Sequence, residues 1–339
     1  MPSNKQIHLV SRPKGEATVE NFKLVQTQTP PLVDGQVLLR HHYITLDPYM
    51  RSRMNDTRSY TAPQPLDEVM QGASVGEVVE SRHADFKVGD KVLGAGGWQE
   101  YSVVDGTSGA GLRKVDDSQV PLSYYLGAVG MPGVTAWYGL TRILQPAPGD
   151  TVVVSAASGA VGSAFGALAK SRGLRVVGIA GGPEKCRYAT DELGFDVCID
   201  YKTHKDVKSL SSALAAAAPN GVQGYFENVG GYVFDSVLAQ MKPFGRVALC
   251  GLISSYDGAP QPWHAPSLIL TQRLTVQGFI VSEHQGDWPR ALKELAELVV
   301  QGKLKPRESV SHGIDSTPEA FLGLLKGKNF GKQLVKLID

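Results

Sequence analysis

The run Thr151-Val152-Val153-Val154-Ser155 leads into Ala157-Ser158-Gly159-Ala160-Val161-Gly162, and small and apolar residues at helical spacing continue to Arg172. A Gly-x-x-Gly turn that opens a helix lets backbone amides come close to a pyrophosphate, and the helix N-terminus adds unpaired N–H groups and a favourable dipole. On its own such a turn is often no more than tight packing. Between a strand and a helix, inside a series of further βα units, it reads as a dinucleotide loop with Ala157 in place of the first glycine. Gly159, Ala160, Val161 and Gly162 are therefore expected to hold the pyrophosphate.

The next strand decides which dinucleotide fits. A site for NADH places Asp or Glu at its end to hold the ribose 2′-hydroxyl. Here the strand ends in Ala180-Gly181-Gly182, with Lys185 and Arg187 just beyond and Glu184 among them. Small residues leave room for a 2′-phosphate and a cation pairs with it, so NADPH is expected, with Lys185 the main contact. Tyr201 and Lys205 spell the Tyr-x-x-x-Lys dyad of short-chain dehydrogenases. In those enzymes the nucleotide loop opens the chain and the dyad lies far downstream, so the match here is coincidence.

Other chemistries find little support. Cys186, Cys198 and Cys250 are odd in number and far apart along the chain, which argues against a disulfide framework. No Cys-x-x-Cys pair begins a zinc site, and the histidines are scattered; the adjacent His41 and His42 would point to opposite faces of a strand. Metal is not expected. Lys plus Arg number 34 against 33 for Asp plus Glu, which gives a net charge of +1 and no reason to expect nucleic acid or an anionic membrane as partner. No apolar run approaches the ~20 residues of a membrane span, and a cytoplasmic location is the expectation.

These residues need elements to place them. A chain of 339 residues, 42% apolar, has room for two cores. Residues 1–125 carry short strand-like segments, as at 36–40, 75–79 and 91–94, punctuated by Pro and Gly, which suggests an irregular β-barrel or sandwich. From 151 onward strands alternate with helices: strands at 151–155, 174–180, 195–200, 224–228, 246–251 and 274–281, and helices at 159–172, 183–193, 205–218, 232–241 and 288–301. That alternation predicts a doubly wound parallel sheet, a Rossmann domain spanning 126–308. The strand-like tail 309–339 is expected to close the first domain, which makes the nucleotide domain an insertion in an α/β chain.

Distinctive motifs run nearly end to end: Leu46-Asp47-Pro48-Tyr49-Met50-Arg51, Gly130-Met131-Pro132-Gly133-Val134-Thr135-Ala136, Glu227-Asn228-Val229-Gly230-Gly231, Cys250-Gly251-Leu252-Ile253-Ser254-Ser255-Tyr256, Gly278-Phe279-Ile280 and Leu325-Lys326-Gly327-Lys328-Asn329-Phe330-Gly331-Lys332. Together they carry a resemblance to the zinc-independent medium-chain dehydrogenase/reductases, in the group of leukotriene B4 dehydrogenase/prostaglandin reductases, plant alkenal double-bond reductases and bacterial NADPH-dependent curcumin reductases. It implies a GroES-like barrel for the first domain and a homodimer. It also implies that Lys185 and Tyr201 contact the 2′-phosphate end of the cofactor, and that Met131 and Thr135 sit near the nicotinamide. Asn228, Cys250, Gly251, Ile253, Ser254, Tyr256, Phe279, Ile280, Val281, Asn329 and Gly331 would line the rest. Tyr201-Lys202 looks more like the prostaglandin branch, and Asp257 stands where the group usually has Asn. Zinc-dependent relatives carry Gly-His-Glu where this chain reads Gln71-Gly72-Ala73.

The implied reaction is hydride addition to the β-carbon of an enone or enal, with charge developing on the carbonyl oxygen as an enolate. A phenol donor aimed at that oxygen stabilises the transition state more than the ground state. The resemblance puts Tyr49 and Tyr256 at the substrate pocket, one from each domain, with Tyr60 a weaker third. Quinone reduction with the same cofactor and a non-catalytic NADPH-binding protein are the rival readings.

Overall fold

The computed structural model describes residues 1–106 and 112–338; Asp339, the end of the expected tail segment, lies outside them. The chain divides into two compact units: Met1–Leu126 with Tyr256–Gly258 and Glu308–Asp339, and Gly127–Ser255 with Ala259–Arg307.

The second unit is built on a parallel sheet of six strands: β1 (Thr151–Ser155), β2 (Arg175–Ala180), β3 (Val197–Asp200), β4 (Val222–Glu227), β5 (Met241–Leu249) and β6 (Thr275–Gly278). Their spatial order is β3-β2-β1-β4-β5-β6, so the sheet is wound outward in both directions from β1 and β4. Val153 on β1 lies between Val177 of β2 and Tyr225 of β4. Every residue of β1 is buried, as a central strand covered on both faces must be. One face packs Val153, Val177, Leu210, Leu214, Phe234 and Val237 into a core. On the other side the helix Ala160–Ser171 closes on the Phe195 ring, which leaves no space at Gly166: a Cβ there would lie 1.8 Å from the ring.

Element ends differ from the sequence reading for identifiable reasons. The helix expected from 205 begins at Val207 because Asp206 caps it, accepting the Ser209 N–H at 2.7 Å. The strand expected over 274–281 is only Thr275–Gly278, because the chain leaves the sheet to bring the Phe279 ring against Tyr138, centroids 5.4 Å apart. The separation of the cysteines along the chain does not carry over to space. Cys186 and Cys198 are both free thiols, yet their sulfurs are 3.0 Å apart.

The first unit holds a seven-stranded sheet centred on Gln36–Thr45, which pairs antiparallel with Ser74–Ser81, Tyr101–Asp105 and Lys332–Lys336. Glu308–His312 lies parallel to Lys332–Lys336 at one edge. A three-stranded sheet of Ser3–Leu9, Phe22–Gln28 and Glu68–Val69 completes the β structure. The tail is not all strand. Thr317–Leu325 is a helix whose Phe321 enters the core edge-on to Trp98, centroids 5.3 Å apart. Among the described residues no helix is long and apolar enough to cross a membrane.

Candidate active site

The loop after β1 has the geometry its residue types demand. Gly159 takes an extended conformation with no side-chain cap, and Ala160–Ser171 follows as a regular helix. Gly162 is set by packing: a Cβ there would lie 2.3 Å from the Ala156 carbonyl oxygen. Ala157 replaces the first glycine at no cost because Gly178 on β2 faces its methyl group, leaving no room for a Cβ at 178. Ala156, with φ at 51°, supplies the left-handed kink that turns the chain out of the strand. Together these bring the amides of Ala160, Val161 and Gly162 to the first turn of a twelve-residue helix at the carboxyl end of the sheet.

At the end of β2 the backbone of Gly181 passes under the Tyr201 ring, and a Cβ there would meet it at 2.8 Å. The acid that sequence reasoning sought on β2 is absent, but the parallel register brings Asp200, at the end of β3, beside Ala180. Asp200 is committed to backbone. Its Oδ1 accepts the Gly182 N–H at 2.8 Å and the Lys202 N–H at 3.0 Å. Lys185, half-buried, is held below the usual lysine range by desolvation first and by the Lys202 ammonium second. Two cations that repel each other beyond adjoining strand ends suit a dianion. Sequence reasoning gave Lys202 no role; its signal was a cation next to Tyr201.

The point where the strand order reverses lies between β1 and β4. There the Ser155 hydroxyl accepts the Asn228 N–H at 2.8 Å and donates to Glu227 at 3.2 Å, and the Asn228 side chain donates to the Ser155 carbonyl at 2.8 Å. Glu227 is fully buried, and its carboxyl also accepts the Val229 and Gly230 N–H groups. Burial outweighs these bonds and pushes its pKa up to about 8. Sequence reasoning gave Glu227 no role; the signal was an acid ending the apolar run Tyr225-Phe226. Its backbone carbonyl accepts Cys250 and Gly251, while Ile253 and Ser254 bond back to Asn228 and Val229. Burial pushes the Cys250 thiol up to about 12, so it is a packed neutral group. The two loops beyond β4 and β5 are thereby laced together.

Around them, Phe279 joins Tyr138 and Phe226 in an aromatic cluster, Ile280 is half-buried, and the Val281 carbonyl accepts the Trp288 indole at 3.1 Å. Met131 begins the helix Met131–Tyr138, and the Thr135 hydroxyl donates to the Met131 carbonyl at 2.7 Å.

In the first unit, Lys332 is buried against Asp47 at 2.7 Å and the Leu46 carbonyl at 2.7 Å, which fixes the start of the helix Tyr49–Arg53. Burial, reinforced by Asp47 and Tyr60, raises the Tyr49 phenol well above the ordinary tyrosine range and keeps it a donor. Tyr60 is 53% exposed and stacks beneath Arg53, whose guanidinium carbon is 4.3 Å from the ring centroid and 5.8 Å from that of Tyr49. Arg53 is itself buried, and among the described residues its Nε and Nη1 have no hydrogen-bond partner. A desolvated cation with orphaned donors calls for an oxygen ligand. Asn329 donates to the Gly331 carbonyl at 2.7 Å and closes its own loop.

Tyr256 groups with the first unit, not the second. The reason is Asp257. Its Oδ1 accepts Arg51 Nε at 2.7 Å and the Ala17 N–H at 2.8 Å, while Arg51 also reaches Asn55 at 2.8 Å and the Gly15 carbonyl at 2.7 Å. The departure from Asn at 257 is thus an acid buried against a cation.

A family profile described as the N-terminal domain of oxidoreductase matches residues 5–115, and one described as zinc-binding dehydrogenase matches 160–297. The chain is 45% identical to an NADPH-dependent curcumin reductase of Escherichia coli, covering 98% of this chain and 97% of the relative. It is 40% identical to a 2-alkenal reductase (NADP(+)-dependent) of Nicotiana tabacum, covering 98% and 97%. The crystal structure of CurA from Vibrio vulnificus in complex with NADPH superposes with a TM-score of 0.91 at 44% identity, covering 99% of each chain. Zinc does not fit the corresponding residues here. Gly72 and Ala73 carry no donor, and a Cβ on Gly72 would lie 3.1 Å from both Met50 and Trp98. The described residues contain no group of three or more His, Cys, Asp or Glu placed to hold a metal.

Proposed function

Because the chain belongs to the zinc-independent medium-chain dehydrogenase/reductases, in the group of curcumin, prostaglandin and alkenal double-bond reductases, we propose that it uses NADPH to saturate the carbon–carbon double bond of enals and enones. The observation that carries this reading is the strand end at Gly181 and Gly182, where Lys185 lies near Lys202 and Asp200, the acid paired with Ala180, is spent on backbone amides. The amides of Ala160 to Gly162 would hold the pyrophosphate, Lys185, Lys202 and Tyr201 the 2′-phosphate, and the loops at 228 and 250–254 the nicotinamide half, with Met131, Thr135 and 279–281 beside it. When bound, the reduced nicotinamide supplies a hydride.

The chain's own contribution is electrostatic. An isolated alkene has no sink for the charge left after hydride addition, whereas a conjugated carbonyl carries it on oxygen. Tyr49, neutral at every physiological pH, offers that oxygen an O–H donor, and Tyr256 offers a second. The orphaned Nε and Nη1 of Arg53 add a positive field at the Tyr49–Tyr60 edge that favours a developing enolate over a neutral ketone. The test is NADPH oxidation with 2-nonenal beside a simple benzoquinone. Turnover with the enal well above the quinone is expected. Turnover with the quinone alone would transfer the chain to quinone reduction, and tight NADPH binding without turnover on either would leave a binding protein.

We also propose a homodimer. The edge strand β6 leaves Thr275, Gln277 and Gly278 exposed, and Leu270 and Phe244 nearby are 79% and 67% exposed. An uncovered edge beside apolar side chains is a pairing surface for a second copy. Light scattering that returns one chain at micromolar concentration would refute it.

A further inference from the structure

Cys186 and Cys198 come from different elements that the parallel sheet brings together. Cys186 lies on the helical turn Pro183–Arg187 after β2, and Cys198 lies on β3 opposite Gly178. The Cys198 thiol donates to the Cys186 sulfur across 3.0 Å, and both side chains are partly exposed. That bond is the main influence drawing the Cys186 thiol below its ordinary range, while Cys198, the donor, is pushed up. One sulfur is thus the better nucleophile, and the other stands in contact to resolve it, the arrangement of a redox-reactive pair. Nothing in the proposed reaction uses either thiol.

The position of the pair is as telling as its geometry. Cys186 follows Lys185, and Cys198 is two residues before Asp200, which caps Gly182 and leads into Tyr201 and Lys202. The sulfurs therefore join the two chain segments that would hold the 2′-phosphate. We propose that Cys186 and Cys198 form a reversible oxidation site, closed to an intrachain disulfide by hydrogen peroxide, and that closure weakens NADPH binding.

The chemistry balances. The Cys186 thiolate attacks one peroxide oxygen and the O–O bond breaks; Cys186 becomes a sulfenic acid, and the departing hydroxide takes up the thiol's proton as water. The Cys198 sulfur then attacks the Cys186 sulfur, forming the S–S bond and breaking S–O, and the second hydroxyl leaves with the Cys198 proton as water. The two thiols lose two electrons to the peroxide. Closing the sulfurs from 3.0 Å to a bond of about 2.05 Å draws the turn carrying Lys185 toward β3. Linkage requires the reverse effect too: bound NADPH should slow oxidation. The affinity part rests on the cofactor placement proposed above; bridge formation does not.

The experiment treats the full-length protein with hydrogen peroxide, with and without NADPH, and follows the peptides holding Cys186 and Cys198 by mass spectrometry. The expected result is a cross-linked pair lacking two hydrogen atoms, slower to form with NADPH present, reversed by dithiothreitol and absent from C198S. The oxidised protein should show a KM for NADPH raised roughly fivefold or more with kcat little changed, and C198S treated alike should not. Oxidation of Cys186 to sulfinic acid with no bridge overturns the site. A bridge that leaves the KM for NADPH unchanged overturns its effect on the cofactor. If the untreated protein fails to turn over enones with NADPH, the functional reading fails while the bridge remains measurable by mass.

Discussion

Asp257→Ala removes the one counter-charge that a buried guanidinium has among the described residues. The Arg51 and Asp257 side chains are 4% and 8% exposed, joined at 2.7 Å. Without the carboxylate, Arg51 keeps two neutral acceptors, the Asn55 side chain and the Gly15 carbonyl, and the Ala17 N–H loses its partner. Breaking one side of a buried pair costs about 3–5 kcal/mol. Asp257→Asn retains an oxygen for both donors and exchanges charge-assisted bonds for neutral ones, a loss of about 1–2 kcal/mol. Urea unfolding followed by intrinsic fluorescence measures both. Because Tyr256 adjoins this anchor, D257A should also lower kcat while the KM for NADPH stays near wild type. D257A costing less than about 1 kcal/mol, or D257N costing as much as D257A, would refute the assignment of Asp257 as the anchor.

Further outcomes follow from the same geometry. Tyr256→Phe should lower turnover with enones while NADPH affinity holds; unchanged kcat on the best substrate would remove Tyr256 from the reaction. Lys185→Ala should raise the KM for NADPH roughly 10- to 100-fold and leave NADH nearly unaffected, since one charge-assisted bond to phosphate is lost. Equal losses for both cofactors would contradict that contact. Glu227 keeps its proton up to about pH 8 when folded and gives it up near pH 4.5 when unfolded. The native state therefore holds more protons in that window, and stability should fall as pH rises through it, on the order of 1 kcal/mol per pH unit between 6 and 8. Glu227→Gln should flatten that slope, and an unchanged slope in urea unfolding at several pH values would place the titration elsewhere.

What the sequence made legible was local. The turn at Gly159 to Gly162, the small residues ending β2 and the alternation of strand and helix follow from neighbours in the chain, and the structure has them. What it concealed depends on which strand lies beside which. Asp200 reaches Gly182 only because β2 and β3 run parallel in register Ala180 to Asp200, and that pairing also brings Cys186 against Cys198. Arg51 finds Asp257 across two hundred residues of chain, which no periodicity reports. The helix Thr317–Leu325 was hidden in a short tail flanked by strand-like runs. Glu227 looks like an error in an apolar strand until Ser155, Val229 and Gly230 are seen around it.

The central claim is conjugate reduction with NADPH as the source of the hydride. Reaction of the protein with NADPH deuterated at the transferring carbon and an unlabelled enone, with the product read by NMR, tests it in one step. A saturated ketone carrying deuterium at the β-carbon is the predicted result. An allylic alcohol with deuterium on the former carbonyl carbon, or a product without label, would contradict it.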